Sequence, residues 1–471
     1  MVNSSFRTEK DSLGEVKVPE EAYYGVQTQR AVDNFRISGF RFDRYFIKAL
    51  GLIKLAAAKA NVDLSLLPSD KGEVITKACQ EVVDGKFDDQ FVVDVFQTGS
   101  GTSTNMNANE VIASRAAEFL GAKRGDKGAV HPNDHVNMCQ STNDVFPTAI
   151  HIAAIDAIEE QLLPSLQALH DALRDKSEEF SDVVKAGRTH LQDAVPVTLG
   201  QEFGGYASMV KHGLERINQA KKDLNELPLG GTATGTGLNA HPDYAEIAIK
   251  YLNSLTGMSL RRAENAFEAM QSKDACVAIS GALKTVAVSL MKISNDLRLL
   301  NSGPWTGFGE IELPAVQPGS SIMPGKVNPV IPEAVNQVAA KVMGNDASIT
   351  NAGQLGQLEL NVMMPVIAYS LLESIKLEAA ASKTLAKNCV SGIKANIERC
   401  LKHGESSLAL VTAIAPVIGY DASARVAKKA LETGTSIREI MLEEGIVDKD
   451  RIDDILNLKK LAEGGRIEEG S

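Results

Sequence analysis

The sequence has few cysteines and no excess of positive charge. Its five cysteines among 471 residues are widely spread and form no CxxC pair, which argues against a disulfide-stapled secreted fold and against zinc or thiol redox motifs. The net charge of −11 disfavours general binding to nucleic acid or to an anionic membrane. An anionic ligand therefore requires a local positive site, for which Lys326 and Arg188 are candidates.

Long uncharged apolar runs are also missing. The most hydrophobic stretch, residues 276–293, is interrupted by Lys284 and Lys292 and is typical of a helix inside protein rather than a membrane span. The amino terminus lacks the apolar centre of a signal peptide and the acid-poor, arginine-rich character of a transit peptide. We therefore expect a cytoplasmic protein without a membrane partner.

Proline is absent from residues 243–303 and 366–415, which are rich in Ala, Leu, Lys and Glu and therefore predict long helices. The apolar residues of 276–293 cover more than one helix face, so other helices must surround them, from the same chain or from a partner. This pattern predicts an oligomeric helical bundle. Toward the carboxyl end, Ser436 and Glu439 fit a capping box that opens a short helix.

The loop GSSIMPGKVNP, residues 319–329, places two hydroxyls, a cation and an amide donor in one glycine- and proline-bounded segment. Such a segment can hold an anion beside a potential base, although an ordinary surface loop has a similar composition. It is not a nucleotide P-loop, because Val327 follows Lys326 where Ser or Thr would hold magnesium.

Further polar blocks precede this loop along the chain. They are Thr98–Thr102 with Asn105–Asn107, Gln140–Asp144, Gly187–Asp193 and Gly230–Gly237. Together with residues 7–30, 319–329 and 410–421, these blocks resemble the fumarase/aspartase superfamily nearly end to end. Its members eliminate water, ammonia or an amine from a succinyl-type substrate to leave fumarate.

The resemblance implies a mainly α fold with three domains and a central bundle of long helices. The implied domains are an amino-terminal lyase domain at 1–140, a central helical bundle at 141–397 and a small helical domain at 398–471. It further implies a homotetramer in which loops of three subunits assemble each active site. Neither an organic cofactor nor a metal is expected, because protein donors alone would stabilise the reaction intermediate.

The chemistry of a four-carbon dicarboxylate requires donors more than a strong base. Removing a proton beside one carboxylate gives a doubly charged aci-carboxylate, which catalysis must stabilise electrostatically. Lys326 and Asn328 are suited to that task, one as a cation and one as a neutral donor. Ser320 matches the superfamily's proton-abstracting serine, which would act as an alkoxide stabilised by loop N–H groups and the lysine. The alternative is that Ser320 and Ser321 only cap a turn.

His190 is the candidate for delivering a proton to the leaving hydroxyl through a water, and Glu333 matches the glutamate that orients it. The other carboxylate and the leaving group need hydroxyl and amide donors on short motifs, each of which could instead be a helix cap. The resemblance assigns substrate binding to Ser100, Gly101, Thr102, Ser141, Thr142, Asn143, Thr189, Ser321, Lys326, Val327 and Asn328.

Residues 131–135 contain two histidines four apart with a carboxylate between them, which suggests a metal site resembling an inverted zincin motif. No third ligand is evident in the sequence. The resemblance implies a different role, a secondary dicarboxylate site formed by His131, Pro132, Asn133 and Asp134.

Within the superfamily the residues favour a fumarase, which interconverts fumarate and L-malate. Residues 26–30, 131–134, 230–231, 359–361 and 418–421 resemble fumarases, whereas Thr142, residues 23–25 and the 328–333 ending resemble aspartases, although some fumarases share that ending. Thr and Ser present the same hydroxyl, so Thr142 cannot by itself select ammonia over water. The alternatives are an aspartate ammonia-lyase, a non-catalytic lens-type or scaffold protein on the same fold, and a metal hydrolase.

Overall fold

The computed structural model describes residues 5–465, and over these residues the chain is mainly helical, as predicted. Most of the polar blocks lie at the ends of helices or between them. The α-helices are α1 Val26–Asn34, α2 Arg44–Asp63, α3 Ser69–Val83, α4 Thr102–Phe119, α5 Thr142–Ala157, α6 Leu163–Glu179, α7 Leu199–Ala220, α8 Tyr244–Thr256, α9 Ala266–Gln271, α10 Asp274–Leu300, α11 Val330–Gly353, α12 Met364–Asn388, α13 Ile397–Ser406, α14 Val411–Ile418, α15 Tyr420–Thr433, α16 Ile437–Glu443, α17 Lys449–Ile455 and α18 Leu458–Glu463.

The strands are short and pair two by two. They are β1 Phe6–Asp11, β2 Gly14–Pro19, β3 Val184–Thr189, β4 Gln192–Thr198, β5 Glu226–Leu227, β6 Arg261–Arg262, β7 Ile311–Glu312, β8 Gly356–Gln357, β9 Leu360–Asn361 and β10 Lys394–Ala395. The pairs β1–β2, β3–β4, β7–β10 and β8–β9 are antiparallel, and β5–β6 is parallel. Only the β3–β4 hairpin carries predicted site residues.

Helix α2 is a largely buried helix among those that support the amino-terminal blocks. Asp43 begins it by accepting hydrogen bonds from the backbone N–H groups of Tyr45 and Phe46. Apolar side chains then occupy nearly every face of the helix, and α3, α5 and α8 pack around it. A helix that is apolar all round is stable only when it is enclosed in this way.

The proline-free stretch 243–303 is not one long helix, and that expectation is corrected. It contains α8, α9 and α10, because Gly257 adopts a left-handed conformation (φ +71°) that ends α8 and the Asn265 side chain begins α9. The stretch 366–415 is divided in the same way, with α12 as its one long helix.

Helix α10 confirms that residues 276–293 form a helix. By length and composition it could cross a membrane, a test that core helices of soluble proteins also pass. Its residues Cys276, Ile279, Leu283 and Leu290 are buried within the protein, and their spacing of three, four and seven residues is that of one helix face. The same helix exposes Val288 on another face, with 53% of its surface accessible.

The chain divides into two compact units, each built from separate segments. Of the described residues, the first unit comprises 5–163, 215–285 and 340–378, and the second comprises 164–214, 286–339 and 379–465. The predicted three-domain division stays a prediction.

Part of the second unit is a small core around Ile414, Ile440 and Ile452. The predicted capping box between Ser436 and Glu439 is present at the start of α16.

Candidate active site

In the first unit, the Thr98–Thr102 block turns directly into α4. Gly101 has a φ of +82°, and a Cβ there would lie 2.1 Å from the Phe146 ring, so only glycine fits. Ser100 Oγ and Thr102 Oγ1 lie 2.9 Å apart at the start of the helix. Two predicted binding hydroxyls are thereby held together beside backbone N–H groups, an arrangement that suits an anion.

The second block begins α5 with a capping box, in which Ser141 and Asp144 bond each other's backbone N–H. Thr142 Oγ1 accepts a hydrogen bond of 2.9 Å from Asn105 Nδ2, which belongs to the first block. Asn143 Nδ2 donates to the carbonyl of Ala233 at 2.8 Å. The structure therefore brings the two predicted substrate-binding blocks of this unit into direct contact.

Beneath these blocks lie a buried carboxylate and a buried ammonium. Asp144 accepts hydrogen bonds from the backbone N–H groups of Ser141, Gly230 and Thr232. Burial nevertheless raises the pKa of Asp144 to about 7. Burial also lowers the pKa of Lys54 to about 7, although the opposite charge of Asp144 partly opposes that decrease. A buried acid held by backbone N–H groups and a buried amine therefore lie below the two blocks.

The predicted secondary dicarboxylate residues lie in and directly before one π-helical turn, Pro132–Val136. His131 begins the turn, and its Nδ1 accepts from the backbone N–H groups of Asn133 and Asp134 at 3.2 and 3.1 Å. The Asp134 carboxylate lies 3.4 Å from the same ring nitrogen and is largely exposed. These residues share one surface turn, and their role as a second binding site stays a prediction.

His135 is not free to act as a metal ligand in this conformation. Its Nδ1 accepts from the His131 backbone N–H at 2.8 Å, and its Nε2 lies 3.2 Å from Lys71 Nζ. Burial, followed by the Lys71 charge, lowers the pKa of His135. Across residues 5–465, no group of three or more His, Cys, Asp or Glu side chains is arranged to hold a metal ion.

In the second unit, the loop 319–329 closes on itself. The Gly319 N–H donates to the Lys326 carbonyl at 2.8 Å, and Asn328 Nδ2 donates to the Gly319 carbonyl. A Cβ at Gly319 would lie 2.4 Å from the Lys326 carbonyl oxygen, and Gly325 has a φ of +81°. Both glycines are therefore required by the loop geometry.

Ser320 directly follows Gly319 in this loop. Its Oγ accepts hydrogen bonds from the backbone N–H groups of Ile322 and Met323 at 3.2 and 2.9 Å. This is the geometry of a turn-capping hydroxyl, and the same two donors would stabilise a negative oxygen at that position. Ser321 is more exposed.

Lys326, Val327, Asn328 and Glu333 line one cleft of about 1230 Å³ in the second unit. Its other walls come from residues 298–315 and 394–402. Lys326 forms no ion pair with any other described residue, so its charge is available to an anionic ligand. Ser320 and His190 do not belong to the described lining of this cleft.

His190 lies at the tip of the β3–β4 hairpin. Thr189 pairs with Gln192, so the turn consists of His190 and Leu191, whose φ values are +56° and +58°. Two consecutive non-glycine residues in the left-handed region are strained, and such strain is common at functional sites. Thr189 and His190 are exposed, and no hydrogen bond or ion pair among the described residues joins His190 to Glu333.

Arg188 does not supply the free positive charge proposed for it from the sequence. Its guanidinium makes two hydrogen bonds, of 3.1 and 2.7 Å, to the fully buried carboxylate of Glu310. Lys185 and His403 also contact this carboxylate, at 3.1 and 2.7 Å. Burial raises the pKa of Glu310. The three partners, of which Arg188 has the largest effect, more than offset the effect of burial and hold that pKa below its usual range.

The motifs did not identify Lys54 or Glu310. For Lys54 a signal exists, because Leu50, Gly51, Ala57 and Ala58 surround it at helical spacing and place it on an apolar face. For Glu310 the sequence carries no comparable signal, since its partners are as distant as residues 188 and 403.

Comparison with known proteins covers nearly the whole chain. Residues 14–344 match the family described as Lyase, and residues 410–463 match the Fumarase C C-terminus. A class II fumarate hydratase of Mycobacterium tuberculosis (strain ATCC 25618 / H37Rv) is 52% identical over 468 residues, covering 97% of each chain. An aspartate ammonia-lyase of a Bacillus species is 48% identical over 464 residues, covering 98% of this chain and 99% of its own.

The solved structures give the same result. The class II fumarase of Schistosoma mansoni is 40% identical, covers 97% of this chain and 99% of its own, and superposes with a TM-score of 0.94. A fold match of this extent, joined to the family match over more than half of the sequence, leaves no other assignment. The chain belongs to the fumarase/aspartase superfamily of lyases.

Proposed function

We propose that this protein catalyses the reversible hydration of fumarate to L-malate, a reaction of the tricarboxylic acid cycle. Relatives named fumarate hydratase, which are 52% and 53% identical to this chain over nearly its full length, support this assignment. The alternative is aspartate ammonia-lyase activity, which the Bacillus relative favours. The structural observation that carries the proposal is the 319–329 loop, in which Lys326 pairs with no described carboxylate and two N–H groups point at Ser320 Oγ.

The reaction proceeds through an aci-carboxylate. In the direction of dehydration, a base removes a proton from the carbon beside one carboxylate, and that group then carries a second negative charge. Lys326 and Asn328 stabilise this charge as a cation and an amide donor, which is worth more in a site from which water is excluded. The hydroxyl then leaves from the neighbouring carbon on the opposite face, and fumarate forms.

Ser320 acts as the base in this proposal. A serine hydroxyl is a weak base, so the reacting species is the alkoxide, stabilised by the N–H groups of Ile322 and Met323. The same hydrogen bonds fix the oxygen in one position, so the alkoxide needs little rearrangement on forming. Ser321 and Val327 contribute to substrate binding from the same loop.

His190 delivers the proton to the leaving hydroxyl through a water, and Glu333 orients it. Because no hydrogen bond joins these two side chains among the described residues, we propose that His190 of one subunit meets Glu333 of another. This requires a homotetramer with active sites shared among subunits. Val288 on α10 and Leu358 between α11 and α12 are exposed apolar side chains that such an assembly would cover.

The first unit supplies the remaining substrate contacts. Ser100 and Thr102, at the start of α4, and Ser141, Thr142 and Asn143, at the start of α5, bind the second carboxylate and the leaving group. Gly101 allows the backbone to approach the ligand closely, and Thr189 adds a hydroxyl from the β3–β4 hairpin. No cofactor takes part in this proposal.

We further infer a soluble cytoplasmic enzyme with the three domains 1–140, 141–397 and 398–471. The surface turn that contains His131 and Asp134 serves as a secondary dicarboxylate site. The proposed function is tested by supplying L-malate or L-aspartate to purified protein and following fumarate by its ultraviolet absorbance. Formation of fumarate from aspartate alone would replace the proposal with its alternative.

A further inference from the structure

A buried lysine lies below the two substrate-binding blocks of the first unit. Lys54 is fully buried on α2, yet it forms no ion pair with a described carboxylate. Its ammonium donates instead to two side-chain amide oxygens, Asn137 Oδ1 at 2.8 Å and Gln140 Oε1 at 2.9 Å. Burying an ammonium is costly unless it is hydrogen-bonded, so these two contacts are strongly determined.

In its protonated form the Lys54 side chain has only donors, and it therefore fixes the orientation of both amides. Asn137 and Gln140 must turn their oxygens toward it. Asn137 Nδ2 then donates to the Gln140 carbonyl, and Gln140 Nε2 donates to the carbonyls of Val136 and Met138, each at 3.1 Å. The segment that leads into Ser141 and α5 is thereby held in one conformation.

The orientation of the Asn137 amide also determines that of Asn105, and through Asn105 the hydrogen bond that Thr142 accepts. Asn137 Oδ1 also accepts from Asn105 Nδ2 at 3.2 Å, and Asn105 Nδ2 in turn donates to Thr142 Oγ1 at 2.9 Å. Asn109 Nδ2 donates to the same Asn137 Oδ1 at 3.2 Å, and both Asn105 Oδ1 and Asn109 Oδ1 are buried without a partner among the described residues. That arrangement costs free energy, so the nitrogen ends of both amides are required to face Asn137.

Because Thr142 Oγ1 already accepts a hydrogen bond, its one hydrogen remains for a ligand. No described hydrogen bond uses that hydrogen. We propose that Lys54 is a positioning residue that acts through Asn137 and Asn105 to make the Thr142 hydroxyl a donor to the substrate. The proposal rests on the proposed function, because it takes the ligand of Thr142 to be a carboxylate or hydroxyl oxygen.

A double-mutant cycle tests this connection. Lys54→Met keeps the apolar stem and removes the donors, and Thr142→Val removes the hydroxyl. Each change alone should raise KM for L-malate by about tenfold, the effect expected when one hydrogen bond to a charged group is lost. The value of kcat should change far less. The double variant should show the same increase of about tenfold rather than about a hundredfold, because coupled residues are not additive.

Lys273→Met is the matched control. Lys273 is also a buried lysine of the first unit, but its ammonium donates to the backbone carbonyls of Ala269, Met270 and Ser272. Its replacement should lower the melting temperature without moving KM. If Lys54→Met behaves in the same way, or if its effect multiplies with that of Thr142→Val, the proposal is wrong.

A second variant covers the case in which Lys54→Met does not fold. Asn137→Leu removes the acceptor that orients Asn105, while Lys54 keeps its hydrogen bond to Gln140. The variant is combined with Thr142→Val in the same double-mutant cycle, and an unchanged KM in Asn137→Leu overturns the proposal. If the wild-type protein uses L-aspartate instead of L-malate, only the proposed function is contradicted, and the same cycle is measured with the KM for L-aspartate. If it turns over neither, the Kd for fumarate from titration calorimetry replaces KM.

Discussion

At the residue scale, the hydroxyl of Ser320 is suited to two roles, capping a turn and removing a proton. Its oxygen accepts two backbone N–H bonds, which both close the turn and favour a negative oxygen. Ser436 provides a useful contrast, since it also accepts a backbone N–H bond and lies in a capping box. Comparing the two serines separates a structural role from a catalytic one.

Ser320→Ala should lower kcat for L-malate by at least about a hundredfold, the usual contribution of a positioned base. Ser436→Ala should destabilise the protein by about 1 kcal/mol through loss of a helix cap and leave kcat unchanged. Steady-state kinetics and thermal melts of both variants provide the measurement. Near-normal turnover in a folded Ser320→Ala variant would show that this serine only caps the turn.

The residue scale also shows where sequence reasoning stops. The capping box of Ser436 and Glu439 was predictable because its residues lie three apart. Arg188 was proposed as a free cation, and only the fold reveals that Glu310, 122 residues later, neutralises it. Contacts over such separations are set by tertiary packing, about which a single sequence carries little information.

At the element scale, the carboxylate of Glu310 ties three parts of the second unit together. It joins β3 through Lys185 and Arg188, and α13 through His403, while its own segment leads into β7. Because β3 ends at the hairpin tip that carries His190, this cluster also supports the position of the proposed proton donor.

Glu310→Gln should lower the free energy of unfolding by about 3–5 kcal/mol, because it leaves the largely buried Arg188 guanidinium without its carboxylate partner, whereas Lys185 keeps Glu202 at 2.7 Å. Glu312→Gln, an exposed neighbour on β7, should change it by less than about 0.5 kcal/mol. Denaturant unfolding of the two variants makes the comparison. Equal midpoints would mean that the cluster contributes nothing to stability.

Helix α5 carries a buried histidine whose titration should appear in the stability of the first unit. His151 Nδ1 bonds the Glu226 carbonyl at 2.9 Å, and burial, followed by the charge of Lys273, lowers its pKa to about 4. The unfolded chain takes up this proton near pH 6.5, so stability falls as the pH decreases from 6.5 to 4.

The free energy of unfolding should fall by about 3 kcal/mol over that interval, because the pKa of His151 lies about 2.5 pH units below its ordinary value and each pH unit corresponds to about 1.36 kcal/mol. The measurement is the unfolding free energy of the wild type and of His151→Gln at several pH values between 4 and 7. The variant should lack this part of the pH dependence. Parallel curves for the two proteins would show that His151 does not titrate as described.

At the scale of the whole molecule, the long helices were predictable and their divisions were not. The apolar residues of 276–293 correctly predicted α10, because a helical period repeated over many residues is a strong signal. The stretch 243–303 divides at Gly257 and Asn265, whose capping roles depend on local backbone conformation. The helical fold was therefore predictable, whereas the exact ends of its elements were not.

The proposed assembly predicts a particle of four chains of 50.4 kDa, about 200 kDa. Val288→Glu would place a charge on the exposed face of α10 and should shift the particle to smaller species and reduce turnover. Sedimentation velocity of both proteins at assay concentration provides the measurement. A wild-type monomer that retains full activity would exclude active sites shared among subunits.

The most direct measurement follows fumarate by its ultraviolet absorbance while purified protein receives L-malate in one cuvette and L-aspartate in another. The account predicts fumarate from malate and none from aspartate, and therefore that Thr142 tolerates water as the leaving group. Fumarate from aspartate alone would contradict it, and would show that Thr142 and the aspartase-like 328–333 ending identify the reaction correctly.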